Sequence, residues 1–128
     1  MKKLLILLFS ILISFNSYGE WKAVASNVNF DDTFYVDFSR IKILGTNVLW
    51  RDLRDGPIPV SDKYLSTMQY SKGDCSYFRY RILSMIAFTG RMGEGERFDI
   101  PLKNEEWEYP SPGTTDEEIL KSICNYIK

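Results

Sequence analysis

Apolar and polar side chains alternate in short runs through most of this chain, the two-residue period of strands that bury one face. Phe34, Val36 and Phe38 interleave with Tyr35, Asp37 and Ser39, which predicts a half-buried strand. After Ser39 the apolar set moves to Ile41 and Ile43, and a bulge, bend or short break there would keep both sets facing inward. Residues 21–26 predict an earlier strand, set apart by a polar stretch with the turn formers Asn29, Asp31 and Asp32. Gly45, Thr46 and Asn47 separate two apolar runs and predict a β-hairpin. Residues 55–59 read as the next boundary, because Pro57 and Pro59 cannot both serve a central strand. Tyr64, Ser66, Met68 and Tyr70 share one face of another strand, and residues 71–74 turn the chain into Cys75. The longest alternation sets Phe78, Tyr80, Ile82, Ser84, Ile86 and Phe88 against Arg79, Arg81, Leu83, Met85 and Ala87. Residues 90–95 close it as a flexible hairpin turn, and residues 96–100 pair back as a last strand.

The period changes beyond Pro110, Ser111, Pro112 and Gly113. Thr115 reads as a helix N-cap with Glu118 as its capping-box partner, and Asp116, Glu117 and Glu118 suit the positive end of the helix dipole. Ile119, Leu120, Ile123, Cys124 and Ile127 then form one apolar stripe. A helix this short is marginal alone, so it must dock on the sheet. The fold class is therefore α+β: a single antiparallel sheet of about six strands with one C-terminal helix.

Residues 1–19 change the picture of where this domain works. Lys2 and Lys3 precede an apolar run of about twelve residues, shorter than the roughly twenty that a membrane span needs. Ser17 and Gly19 are small residues at the expected positions of a cut before Glu20. This is a signal peptide pattern, which leaves residues 20–128 as one exported domain without a transmembrane segment. A domain of that size buries about 65% of the unfolded chain's surface. Cys75 and Cys124 are the two cysteines of the chain, and in an oxidising compartment they predict one disulfide that fastens the helix to the sheet.

Charge and composition narrow the function further. Of 16 basic side chains, Lys2 and Lys3 leave with the leader, so 14 face 17 acidic ones and the net charge becomes −3. That balance, like the export, argues against nucleic acid as a partner. The chain has no histidine, which removes the commonest general base and the commonest zinc ligand, and no cofactor or metal is expected. The serines lack both an activating histidine and a Gly-x-Ser-x-Gly turn. Asp31 with Asp32, Glu94 with Glu96 and Glu105 with Glu106 are carboxylate pairs, read as solvated loop residues rather than as glycosidase machinery. The glycines of residues 90–95 fit neither phosphate-binding fingerprint. The chemistry that remains is a candidate basic patch around the first cysteine, made of Lys63, Lys72, Arg79 and Arg81 and suited to an anionic partner.

In its order of features the chain resembles the surface-adhesin protein E family of Gram-negative bacteria. The resemblance spans nearly all of residues 20–128. It rests on Trp21, on Tyr35-Val36-Asp37, on Gly45, Val48 and Trp50-Arg51-Asp52-Leu53, and on Asp74-Cys75. It continues through Arg81-Ile82-Leu83-Ser84, Gly90-Arg91-Met92-Gly93, Trp107, Pro112-Gly113 and Cys124 in a terminal helix. The resemblance implies an antiparallel sheet with the helix held to it by the cysteine pair. It also implies a non-enzymatic role in binding an extracellular or envelope protein, through a basic stretch around the first cysteine, and it allows a homodimer. The best-known member resembles a lipid-anchored surface protein, whereas this chain has no cysteine at the leader cut, so a periplasmic or secreted location is expected. Two alternatives stand beside the adhesin-like reading: a soluble periplasmic accessory or inhibitor-like protein, and a small carboxylate-based hydrolase.

Overall fold

A computed structural model describes residues 20–128 of the protein; residues 1–19, read above as a leader, lie outside the described residues. Seven strands form one antiparallel sheet: β1 (Trp21–Asn27), β2 (Asp32–Asp37), β3 (Lys42–Leu44), β4 (Asn47–Val60), β5 (Tyr64–Asp74), β6 (Arg79–Phe88) and β7 (Arg97–Asp99). Their order across the sheet is β1-β2-β4-β5-β6-β7, with β3 also paired to β4. One helix, α1 (Thr115–Tyr126), follows.

The parity change after Ser39 has a simple origin. β2 and β3 lie end to end along the same edge of β4, with a 3-10 turn over Phe38–Arg40 between them. Asp37 caps that turn, accepting from the Ser39 amide at 3.1 Å. The break keeps Ile41 against the core, but Ile43 is 60% exposed. β3 is an edge hairpin too short to cover both of its faces, so the inward placement expected for Ile43 does not hold.

β4 runs through the expected boundary at residues 55–59 and ends at Val60. Its ladder with β5 breaks there instead: Asp55 pairs with Ser66, Val60 pairs with Tyr64, and Pro57 and Pro59 fall in the unpaired interval. The prolines sit where no strand amide is needed. β5 likewise extends through residues 71–74 to Asp74, and the turn begins at Cys75. In β6 the register with β5 shifts between Ser84 and Ile82, leaving Leu83 as a bulge. Tyr80 and Ile82 therefore face the same way as Met85 and Ala87, not as Ser84 and Ile86.

Two sheet faces follow from these registers. One packs on α1: Val36, Val48, Trp50 and Tyr80 meet Ile119, Leu120 and Ile123, all buried. Gly73 lies beneath the Trp50 indole, where an added Cβ would stand 2.6 Å from the Trp50 ring. α1 is capped one residue earlier than the spacing predicts. Thr114 is the N-cap and accepts from the Glu117 amide at 3.3 Å. Cys75 and Cys124 form the expected disulfide, with their Cα atoms 5.8 Å apart. It joins the end of β5 to the docking stripe of α1 and closes a loop of 49 residues, a stabilisation of roughly 4 kcal/mol in the chain-entropy model.

Among the described residues the opposite face carries no helix. The turn after β6 folds down over one end of it. Arg91 donates twice to Asp55 Oδ2, at 3.0 and 2.8 Å, the Met92 amide donates to Asp55 Oδ1, and the Gly93 amide donates to Ser66 Oγ. This turn is pinned to two buried polar side chains, unlike the flexible hairpin its glycines predict. Burial opposes ionisation of Asp55, but Arg91, the Met92 amide and Arg54 outweigh it and hold the carboxyl below its ordinary range.

Candidate protein-binding face

The turn at the end of β5 is built by Asp74. Its Oδ1 accepts from the amides of Ser76 and Tyr77, and its Oδ2 accepts from Arg79 Nε at 3.0 Å. One buried carboxylate thus shapes the turn that carries Cys75 and aims the first arginine of β6. Arg79 lies across two rings, 4.3 Å from the centre of Trp107 and 5.1 Å from that of Tyr77. Arg81, one pleat further on, approaches the same Trp107 ring at 5.9 Å. Trp107 is brought there by a single antiparallel bridge between Tyr80 and Glu108, whose main-chain bonds measure 2.9 and 2.7 Å.

Lys72 completes the cluster. It sits directly opposite Arg81 in the β5–β6 register, on the face away from α1. Like charges in that position repel. Neither side chain has an ion pair among the described residues, and the buried Arg81 Nε has no hydrogen-bond partner there. Lys72, Arg79 and Arg81 therefore stand together beside the disulfide turn. Lys63 does not join them. It lies in the β4–β5 turn, over the Phe98 ring at 3.9 Å, about 30 Å from Lys72 along β5. Trp107 was not expected in the cluster. Its sequence signals are its place among the residues of the family resemblance and its position as a large aromatic between the acidic Glu106 and Glu108.

The same open face continues toward Arg51. Tyr70 and Lys72 are neighbours on it, about 7 Å apart on β5. Arg51 lies 5.5 Å from the Tyr70 ring and lines three adjoining hollows of about 400, 280 and 360 Å³. The acidic side chains of the helix start, Asp116, Glu117 and Glu118, belong to the other side of the sheet. An acidic protein thus keeps a face rich in arginine and lysine.

The carboxylate pairs divide differently from their sequence reading. Asp32 is buried, not solvated, and pairs with Arg54 at 2.8 Å. Two carboxylates distant in sequence, Asp52 and Asp116, do line one hollow under α1, but its volume of about 10 Å³ matches one water and no substrate. Asp52 accepts from the Trp50 indole N–H at 2.8 Å. Burial pushes its pKa up to about 7, against the indole bond and with help from the Asp116 charge. Tyr80 donates to Asp116 Oδ2 at 3.0 Å, and burial with the Asp116 and Glu108 carboxylates keeps its phenol protonated well above the ordinary range. This network ties α1 to the sheet.

Known proteins show both the sequence pattern and the fold. The family model described as surface-adhesin protein E matches residues 21–125. Among solved structures, crystal form II of Haemophilus influenzae protein E superposes with a TM-score of 0.65 at 19% identity, covering 84% of this chain and 90% of that one. A second structure of Haemophilus influenzae protein E gives 0.61 at 17% identity, over 83% and 84% of the two chains. Protein E from non-typeable Haemophilus influenzae gives 0.57 at 18% identity, over 82% and 75%. No curated protein sequence matches the chain.

Proposed function

The chain belongs to the surface-adhesin protein E family, and from that premise we propose that it is a non-enzymatic, exported protein-binding module of the bacterial cell envelope. Its binding patch is Lys72, Arg79 and Arg81 on the shelf of Trp107. Its partner is an extracellular or envelope protein that presents an acidic segment. The observation that carries this reading is the unrelieved pair of Lys72 and Arg81. Two cations face each other across the ladder, and among the described residues neither has a carboxylate partner. A carboxylate arriving from a partner would sit against the two charges and relieve the repulsion. Trp107 adds flat apolar area and stiffens both guanidinium groups by stacking. The disulfide suits an oxidising compartment, and no helix of the described residues is long and apolar enough to cross a membrane.

Capture tests the proposal. The oxidised domain, residues 20–128, is immobilised and exposed to cell-envelope extract and to extracellular-matrix proteins, beside the double variant Arg79→Glu with Arg81→Glu. The expected result is a bound protein that the variant loses and that elutes as salt is raised. Equal capture by the variant, with an unchanged melting curve, would overturn the patch.

A further inference from the structure

We propose that the open sheet face around Arg51 is a second binding site, for an extended protein segment that carries apolar side chains among its carboxylates. The proposal rests on the protein-binding reading above and extends it along the same face. Arg51 stands near the middle of the sheet on β4. Its neighbours come from elements far apart in sequence: Trp21 on β1, Met68 and Tyr70 on β5, Ile86 on β6, Arg97 on β7 and Met92 in the pinned turn. The Arg51 guanidinium is exposed, and its contact among the described residues is the Tyr70 ring rather than a carboxylate. Among the described residues Arg97 pairs with Asp99 alone, at 3.9 Å, and both side chains are solvated. Two cations are thus available to a ligand on a floor of methionine, isoleucine and aromatic rings; of the carboxylates in the same lining, Asp37 is buried and paired with Arg40, and Glu94 stands at the rim on the pinned turn.

That mixture chooses among anionic ligands. A sulfated polysaccharide or free phosphate would engage the guanidinium groups and leave the apolar floor wet. A peptide segment uses both. Arginine, methionine and aromatic residues are the types enriched where protein partners meet, and methionine adapts its shape to irregular apolar side chains. The hollows also suit an extended chain better than a compact ligand, because they adjoin one another along the sheet and lead, through Tyr70 and Lys72, to the Arg81 patch. The occupant is therefore a strand-like acidic segment with bulky apolar residues between its carboxylates.

The test uses the oxidised domain and three probes: a glutamate–tyrosine copolymer, polyglutamate and heparin. Affinity is measured by titration, and location by the amide and indole N–H spectrum. The copolymer is expected to bind and to shift the signals of Trp21, Arg51, Tyr70 and Ile86. The variant Arg51→Glu with Arg97→Glu is expected to weaken it about tenfold or more, as loss of a charge pair does, with an unchanged melting temperature. Polyglutamate and heparin are expected to bind this region more weakly than the copolymer. The proposal is overturned if the copolymer does not bind, if it shifts only Trp107 and the Arg79–Arg81 region, or if heparin binds around Arg51 as tightly as the copolymer does. A captured protein that is lost by the Arg79→Glu, Arg81→Glu variant and retained by the Arg51→Glu, Arg97→Glu variant would leave the first reading standing and remove this one.

Discussion

At the scale of single residues, the chain concentrates unusual chemistry in aspartates, each fixed by a different partner. Asp74 shapes a turn, Asp55 pins a loop, Asp32 neutralises Arg54, and Asp52 lies buried under α1. Asp52 has a measurable consequence. Its carboxyl titrates near pH 7 in the folded chain and near 3.8 when unfolded. Between those values the folded state holds a proton that the unfolded state has released, so raising the pH costs stability across this window. Below it both states are protonated and the contribution is fully present. Asp52→Asn keeps an acceptor for the Trp50 indole and removes the titration. Urea midpoints at about pH 5 and about pH 8 should differ less in Asp52→Asn than in the parent chain. An identical pH dependence in the two would contradict the buried carboxylate. None of this was legible in the sequence, where Asp52 stands beside Arg51 in an ordinary alternation. Its burial comes from α1, which arrives more than sixty residues later.

At the scale of elements, the alternation identified the strands and the stripe identified the helix, because each encodes which face is buried. The sheet's departures from regularity were harder to place. The break after Ser39 was visible as a change of parity, since an inward set cannot switch sides without one. The Leu83 bulge was not, because residues 82–88 include apolar side chains on both faces and give no parity to read. The end of β4 was misplaced for a related reason. Two prolines stop pairing, but they do not stop an extended chain from continuing as an unpaired edge. The helix owes its position to docking and to the disulfide more than to propensity, since it has only 12 residues. Cys124→Ser should therefore cost roughly 2–5 kcal/mol and lower protection of the α1 amides from hydrogen exchange. An unchanged urea midpoint under oxidising conditions would contradict that role for the bond.

At the scale of the whole molecule, one helix and one sheet give the domain two unlike sides. The helix side is apolar beneath and acidic at the helix start. The open side gathers Arg51, Lys72, Arg79, Arg81 and Arg97 with Trp21, Tyr70 and Trp107. Arg79 and Arg81 were legible as a pair, because alternate residues of a strand share a face. Lys63 lies apart from them at the other end of β5, because nearness in sequence to Cys75 says nothing once a whole strand intervenes. The Arg51 hollows could not be read at all, since they depend on the register of several strands at once. The chain's three tryptophans report this division directly: Trp107 at the patch, Trp21 in the hollows and Trp50 under the helix. The decisive measurement is the indole N–H spectrum of the oxidised domain as the protein it captures is titrated in. Binding by the open face predicts that the Trp107 signal moves while the Trp50 signal stays. A shift of Trp50 with Trp107 unmoved would place the partner on the helix side and contradict the account.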